Sequence, residues 1–310
     1  PDGQTVVVRT FSPSLERYDT AYDQEFTLDL EHVRPPLSLS TAVAANILVP
    51  GTTANTINSV EAVIITQASA PGVGHLEINR GDYEISVGGD PLVHSNGVLL
   101  ATVRENVRVG YRATVEVGRN SFSNTPPRLA LSIMETGNPL ARELNFSTAV
   151  AWFQFATGWQ GAHVDANGTI NPEATNRVDQ SMLTKTNTGR YTLDLGVDAN
   201  TDGLLFAVGN NNENMVEQTG VLEDGRWDIR VGNNAADFAE VGQDRNFSFV
   251  YLPYETNNLI GGLYNGVDDV HASSVGDFSM QKLDTGQYLL TVDGETPDTG
   301  MLLLTVARQA

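Results

Sequence analysis

The sequence predicts an all-β protein made of tandem antiparallel β-sandwich modules, jelly-roll-like, with a part-module at each terminus. Three observations predict it. Apolar residues alternate with a period of two, turn dipeptides separate the alternating runs, and one strand motif recurs along the chain.

The alternation is clearest in Tyr191-x-Leu193-x-Leu195, Trp227-x-Ile229-x-Val231 and Phe247-x-Phe249-x-Tyr251. In an extended chain this puts the apolar side chains on one face and leaves the other for water. Between such runs stand Asn96-Gly97, Asn167-Gly168, Asp224-Gly225 and Asn265-Gly266, pairs suited to tight turns. The best stretch for a helix, Ser12 to Asp23, lacks a 3.6-residue period and reads as loop or a single turn.

The recurring motif is Gly-x-Tyr followed by alternating apolar residues. Lys185, Gly189, Tyr191 and Leu193 map onto Lys282, Gly286, Tyr288 and Leu290 at a shift of 97 residues, and Gly203-Leu204-Leu205 maps onto Gly300-Met301-Leu302 without a gap. An earlier copy reads Gly81-Asp82-Tyr83-Glu84-Ile85, then Gly97-Val98-Leu99. Two second-half segments also look alike: Tyr111 to Gly118 resembles Trp227 to Gly232, and Arg128 to Ile133 stands in the place of Phe247 to Tyr251. A module of roughly 100 residues follows, the size of a sandwich or jelly roll. The expected division is an N-terminal β segment over 1–66, modules over 67–145 and 146–255, and an incomplete module over 256–310.

The two ends look unfinished. The last copy holds the Tyr288 strand and the Met301 to Val306 strand but no second half, while Thr5 to Arg9 and Val60 to Ile65 are strands without a first half. An open sheet edge leaves backbone donors and acceptors unpaired, and a five-residue partner strand recovers about five bonds at roughly 1 kcal/mol each. The termini can complete each other within one chain, or one chain's C-terminal part can take strands from the next. Alternatively, residues 1–66 form a small domain of their own.

Composition narrows the partners. The net charge is −20, and lysine is confined to Lys185 and Lys282. A field of that sign repels nucleic acid and anionic lipid, so neither is expected as a partner. No apolar stretch is long enough for a membrane span, and no membrane insertion is expected. There is no cysteine, hence no disulfide, thiolate metal site or thiol nucleophile. The opening Pro1-Asp2-Gly3, without Met, reads as a processed terminus, as after removal of a signal peptide.

Few residues carry a chemical signal. Asp198-x-Asn200-x-Asp202-Gly203 fits the first half of a calcium loop, but Gly209 stands where a bidentate Glu belongs. A structural calcium held by Asp198, Asn200 and Asp202, helped by Glu213, competes with a plain polar hairpin loop. Asp165-Ala166-Asn167-Gly168, and Asp268-Asp269 beside His271, are weaker acidic clusters. Trp159 and Trp227 are the candidates for stacking on a sugar ring, against the alternative that they fill the core. Lys185 and Lys282 share one repeat position, as edge-strand lysines or as partners in an isopeptide bond to Asn. The five histidines make no zinc spacing, and no nucleophile elbow, phosphate loop or dinucleotide fingerprint occurs.

Gly158-Trp159-Gln160-Gly161-Ala162-His163, Thr188-Gly189-Arg190-Tyr191, Asp202-Gly203-Leu204-Leu205 and Phe247-Ser248-Phe249-Val250-Tyr251 resemble repeat modules of large secreted bacterial surface proteins. They are also loosely similar to the β-sandwich tips of phage tail fibres. The resemblance spans roughly residues 75–306 and implies an extracellular, multimeric, non-catalytic role. The resulting expectation is a structural subunit of a surface fibre, filament or layer, not an enzyme, without cofactor save a structural calcium, and joined to copies of itself by strand pairing. A carbohydrate-binding adhesin or tail-fibre protein is the first alternative, and a β-sandwich glycan hydrolase or lyase the second.

Overall fold

The computed structural model describes residues 5–9, 26–32, 42–48, 61–63, 73–79, 82–87, 90–103, 111–117, 129–135, 148–210, 214–233, 242–256, 259–265, 270–284, 287–292 and 300–309. Among them are strands and three short 3-10 turns, at His94–Asn96, Phe155–Thr157 and Gln180–Met182, and no α-helix. The Ser12 to Asp23 stretch lies outside the described residues. No helix is long and apolar enough to cross a membrane among those described.

Two strands open the chain, β1 (Thr5–Arg9) and β2 (Phe26–His32). A first unit follows: β3 (Ala42–Leu48), β4 (Glu61–Val63), β5 (Val73–Asn79), β6 (Asp82–Val87), the short β7 (Asp90–Pro91), β8 (Gly97–Val103), β9 (Tyr111–Val117), β10 (Leu129–Glu135) and β11 (Thr148–Gln154). The second holds β12 (Gln160–Val164), β13 (Ile170–Asn176), β14 (Leu183–Asn187), β15 (Arg190–Leu193), β16 (Gly203–Gly209), β17 (Asn214–Val221), β18 (Trp227–Asn233) and β19 (Phe247–Pro253). The last part holds β20 (Leu259–Asn265), β21 (Val270–Val275), β22 (Phe278–Asp284), β23 (Gln287–Val292) and β24 (Gly300–Gln309).

One strand order recurs. The second unit forms a four-stranded sheet, β13-β12-β19-β16, and one half of an eight-stranded sheet, β14-β15-β18-β17, which β24-β2-β20-β21 continues. The first repeats both as β4-β3-β11-β8 and β5-β6-β10-β9, with β7 appended to β6. The last part supplies β21-β20 and β22-β23, and the N-terminal strands continue them: β2 lies between β20 and β24, and β1 pairs with β23. Pairing is antiparallel except where β17 runs beside β24, with Thr219 to Val221 opposite Ala307 to Gln309.

The repeat is also kept in register. Lys185 lies opposite Tyr191, Lys282 opposite Tyr288 and Glu77 opposite Tyr83, each followed by a register shift before the hairpin closes. Such a bulge twists the ribbon and fixes which face the tyrosine takes. That face is the core. Tyr191, Leu193 and Leu195 are buried, as are Tyr288, Leu290 and Val292 at the shift of 97, and so is Ile85 in the place of Leu193.

In the second unit Tyr191, Leu193, Ile229 and Val231 of one sheet share a single core with Ala162, Val164, Phe247 and Phe249 of the other. Each large apolar side chain so enclosed contributes about 1.5–3 kcal/mol. The sheet carrying β16 and β19 is buried on its other face too. There Leu204, Phe206, Val250 and Leu252 join a second core with Val98, Leu100, Ala151 and Phe153 of the first unit. Burial on both faces explains why Gly203–Gly209 and Phe247–Pro253 read as nearly continuous apolar runs. The contacts between units are cyclic. β19 lies against β8, β11 against β24, and β2 against β16. In each case the strand of one unit that pairs its two central neighbours meets the equivalent of β16 in another.

β4, β3, β11 and β8 make up one sheet. One expectation changes. Tyr111–Val117 is the counterpart of β17, and Leu129–Glu135 of β18, because β6 pairs with β10 as β15 pairs with β18. Alternation is common to every half-buried strand, so it could not tell these neighbours apart; hydrogen-bonded partners do.

Gly189 is required twice over. Its φ is +62°, and an added Cβ would stand 2.4 Å from the Val231 carbonyl oxygen and 2.5 Å from the Gln243 nitrogen. Both obstacles are backbone, so nothing can swing aside. Gly189→Ala is expected to cost about 2–4 kcal/mol, from left-handed strain and overpacking together; a urea titration reads it directly. Gly97 and Gly203 are equivalent in the repeat and crowded alike, with a Cβ falling 2.2 Å from the Phe153 carbonyl oxygen in one and 2.4 Å from that of Leu252 in the other.

Candidate functional site

The sites marked in the sequence do not converge on one place. The acidic loop leads into β16. Asp198 Oδ1 accepts from the Asn200 backbone N–H at 2.9 Å and from Asn200 Nδ2 at 3.0 Å. Asp202 Oδ2 accepts from the Asp198 N–H at 2.9 Å, and its Oδ1 from the Thr201 hydroxyl at 2.8 Å. The Asp198 N–H and then the Thr201 hydroxyl hold the Asp202 carboxyl below the usual carboxylate range. These oxygens tie the loop to itself. The Asp202 carbonyl is used too, accepting from Tyr251 Oη at 2.8 Å and from the Tyr254 N–H at 3.0 Å. Among the described residues no group of three or more His, Asp or Glu is gathered as metal ligands. Glu213, Asp268 and Asp269 lie outside the described residues. Asp165 to Gly168 form the turn between β12 and β13, and Ala166 O accepts from Tyr191 Oη at 3.3 Å.

Trp227 is a core residue. It is 2 % exposed and meets Tyr251 edge-on, ring centroids 5.4 Å apart. An indole enclosed in this way offers no face to a sugar ring, which corrects its reading as a stacking residue. Its place was set by the Trp227-x-Ile229-x-Val231 alternation itself. Trp159 is half-buried, packed edge-on against Phe153 at 5.2 Å. Lys185 forms an ion pair with Asp244 at 2.7 Å, and Asp244 also accepts from the Gly189 N–H at 2.9 Å. Lys185→Met is expected to change stability by less than about 1 kcal/mol, because a pair this exposed gains little net energy; thermal melting in low and high salt checks it.

A buried polar cluster gathers around His163, where the first two units meet. Ala162 and Val164 face the core of the second unit, so His163, between them on β12, faces the first. Its Nε2 lies 2.8 Å from the Gly97 carbonyl oxygen. A carbonyl only accepts, so Nε2 carries the proton and Nδ1 is the acceptor. The Ser248 hydroxyl is 2.6 Å from Nδ1 and Asn210 Nδ2 is 3.3 Å away; the same hydroxyl reaches Asn210 Oδ1 at 2.7 Å. His94 tilts against the ring at 4.1 Å, and Phe155 stands edge-on at 6.3 Å. His163 is 2 % exposed, Ser248 1 % and Asn210 5 %. Burial pushes the His163 pKa down to about 3, with His94 adding to the effect and the Gly97 bond opposing it.

A serine and a histidine at this distance have the chemistry of a nucleophile and its base. Enclosed to this degree, they form a polar contact between units in which the one Ser248 hydroxyl proton lies between two acceptors, His163 Nδ1 and Asn210 Oδ1, and Asn210 Nδ2 is the other donor towards Nδ1. Sequence reasoning passed over them, although a signal existed. A lone Ser within Phe247-Ser248-Phe249-Val250-Tyr251-Leu252, a strand apolar on both faces, needs a buried partner.

The last place is the seam where the termini meet. Val8 lies opposite Tyr288, as Ile229 lies opposite Tyr191. His32 lies opposite Gly300, as Pro253 lies opposite Gly203. β1 and β2 therefore stand where β18 and β19 stand in the second unit, residue for residue. No protein-family profile, curated protein or solved structure matches the chain.

Proposed function

We propose that the chain is an extracellular, non-enzymatic structural protein of tandem β-sandwich modules, and that donation of β1 and β2 to a part-module is its means of assembly. The observation that carries this reading is the register match at the seam. Given in cis, the two strands close the chain on itself. Given to β23, β24 and β20 of a neighbouring copy, the same pairing joins chains head to tail, and a heterologous contact of that kind repeats without limit unless the ring closes. The net charge of −20 supports it by keeping such a polymer free of nonspecific contacts.

Removal of residues 1–32 is the test. The shortened chain is expected to lose hydrogen-exchange protection throughout β20 to β24 while β12 to β19 keep theirs. A separately made 1–32 segment restores it, and full-length protein mixed from two isotope-labelled preparations yields mixed-label oligomers. Unchanged protection of β20 to β24 in the shortened chain, or exclusively monomeric full-length protein at millimolar concentration, overturns the reading.

A further inference from the structure

We infer that Asn96 is a site of spontaneous covalent modification, where the side-chain amide is lost to the Gly97 backbone nitrogen and an aspartate or isoaspartate is left at the joint between the first two units. The Gly97 nitrogen attacks Asn96 Cγ, and the Cγ–Nδ2 bond breaks. Nδ2 leaves as ammonia, taking the proton that the Gly97 N–H gives up. The product is a five-membered succinimide ring, which water opens at either carbonyl. One opening gives aspartate; the other joins the chain through Cγ and lengthens the main chain by one methylene. Asparagine before glycine is the pair most open to this chemistry, because glycine puts no Cβ in the path of its own nitrogen.

The fold imposes the glycine and not the asparagine. Gly97, Gly203 and Gly300 hold one place in the repeat, and a Cβ at Gly97 would fall 2.2 Å from the Phe153 carbonyl oxygen. The residues before them are Asn96, Asp202 and Thr299, so the first unit alone sets a neutral amide beside this glycine. Asn96 is exposed, at the end of the turn His94–Asn96. The Ser95 hydroxyl donates to Asn96 Oδ1 at 3.2 Å, which draws electron density from Cγ. The Gly97 carbonyl turns to His163 Nε2 at 2.8 Å. In a strand the N–H of a residue points the same way as its C=O, so the Gly97 nitrogen is not tied into the ladder with β11. The equivalent glycine agrees: the bond from the Tyr254 N–H to the Asp202 carbonyl marks Gly203 and Pro253 as a non-hydrogen-bonded pair. At Asn167-Gly168 both reacting groups are held. Asn167 Oδ1 accepts from the Thr169 N–H at 2.9 Å, and the Gly168 N–H donates to the Asp165 carbonyl at 2.8 Å. Asp202 offers a carboxylate, a poor electrophile, bound at both oxygens.

The position gives the reaction a structural effect. Gly97 opens β8 and its carbonyl is the partner of His163, so a main chain one methylene longer at this point pulls on the contact between units. The full chain is kept folded in warm, mildly alkaline buffer beside a second sample in urea. Peptides from both are mapped by mass spectrometry, and isoaspartate is measured by enzymatic methylation. In urea, Asn96 and Asn167 are expected to convert at similar rates. In the folded protein Asn96 is expected to convert at least tenfold faster than Asn167. Asn96→Gln, which would have to close a six-membered ring, stays unmodified at that position. The aged parent protein is expected to exchange its β8 amides at least threefold faster than Asn96→Gln aged in the same way. Equal rates at the two asparagines in the folded protein, an Asn96 that survives there while the urea sample converts, or equal β8 exchange in the two aged samples overturns the inference.

Discussion

Tyr191→Ala is expected to destabilise the second unit by about 3–5 kcal/mol, a large share of a domain's ordinary stability of about 5–15 kcal/mol. Tyr191 is 0 % exposed and sits against Phe247 at a centroid distance of 4.9 Å, so truncation leaves a cavity walled by a rigid neighbour. The ring matters more than its hydroxyl. The bond to Ala166 O is long at 3.3 Å, and Tyr191→Phe should cost under about 1 kcal/mol. Trp227 shares this core, and its fluorescence during urea unfolding reports both variants. Tyr288→Ala removes the equivalent residue, also 0 % exposed, and should lower the stability of the seam while leaving the Trp227 transition in place. Equal losses at both transitions would contradict the equivalence of the two hairpins as separate folding elements.

His163→Asn is expected to flatten the acid limb of the stability curve. Above pH 6.5 the ring is neutral in the folded and the unfolded chain, and its titration contributes nothing. Between 6.5 and about 3 the unfolded chain binds a proton that the folded chain refuses, so stability falls as pH falls. The slope is about 1.4 kcal/mol per pH unit, accumulating to about 5 kcal/mol when the buried ring finally protonates. Asparagine is the natural replacement, since Asn46 stands opposite Ala149 as His163 stands opposite Ser248. Urea midpoints from pH 7 to pH 4 should drop more steeply for the parent protein than for the variant. Parallel curves would mean that the histidine is not enclosed as described. The alkaline limb has other owners: burial pushes the phenols of Tyr191 and Tyr251 up to about 12, so stability falls as pH rises from 10 towards 12.

Much of this architecture was legible because the repeat is written in residues with one physical meaning each. Gly189 needs its positive φ, Tyr191 needs the core, and the alternation after it sets the face; all three recur or are buried as the motif requires. Asn167-Gly168 and Asp224-Gly225 are turns with glycine at φ +89° and +78°. Asn96-Gly97 is different: the chain makes a 3-10 turn at His94–Asn96, and Gly97 begins a strand because it passes against the Phe153 carbonyl. Pairing between distant strands was not legible. Nothing local distinguishes β9 from β10, and β3 joins β11 across more than 100 residues of chain. The candidate site was harder still. Trp227 and Trp159 are equally aromatic in sequence, and only packing separates a core indole from one at the rim. The His163 cluster joins residues from β8, β12 and β19 with Asn210, which follows β16, a meeting that periodicity within any one strand does not encode.

The joining of first and last strands has a temporal consequence. Val8 and Tyr288 are about 280 residues apart in the chain, and closing so long a loop costs about 5 kcal/mol of chain entropy before any contact rewards it. The middle of the polypeptide, where β14, β15, β18 and β17 pair within about 50 residues of chain, has a smaller toll and orders early. During synthesis β1 therefore leaves the ribosome long before its partner β23 and is among the last strands to find a place, and until Val292 is made it presents a valine-rich strand to whatever is nearby.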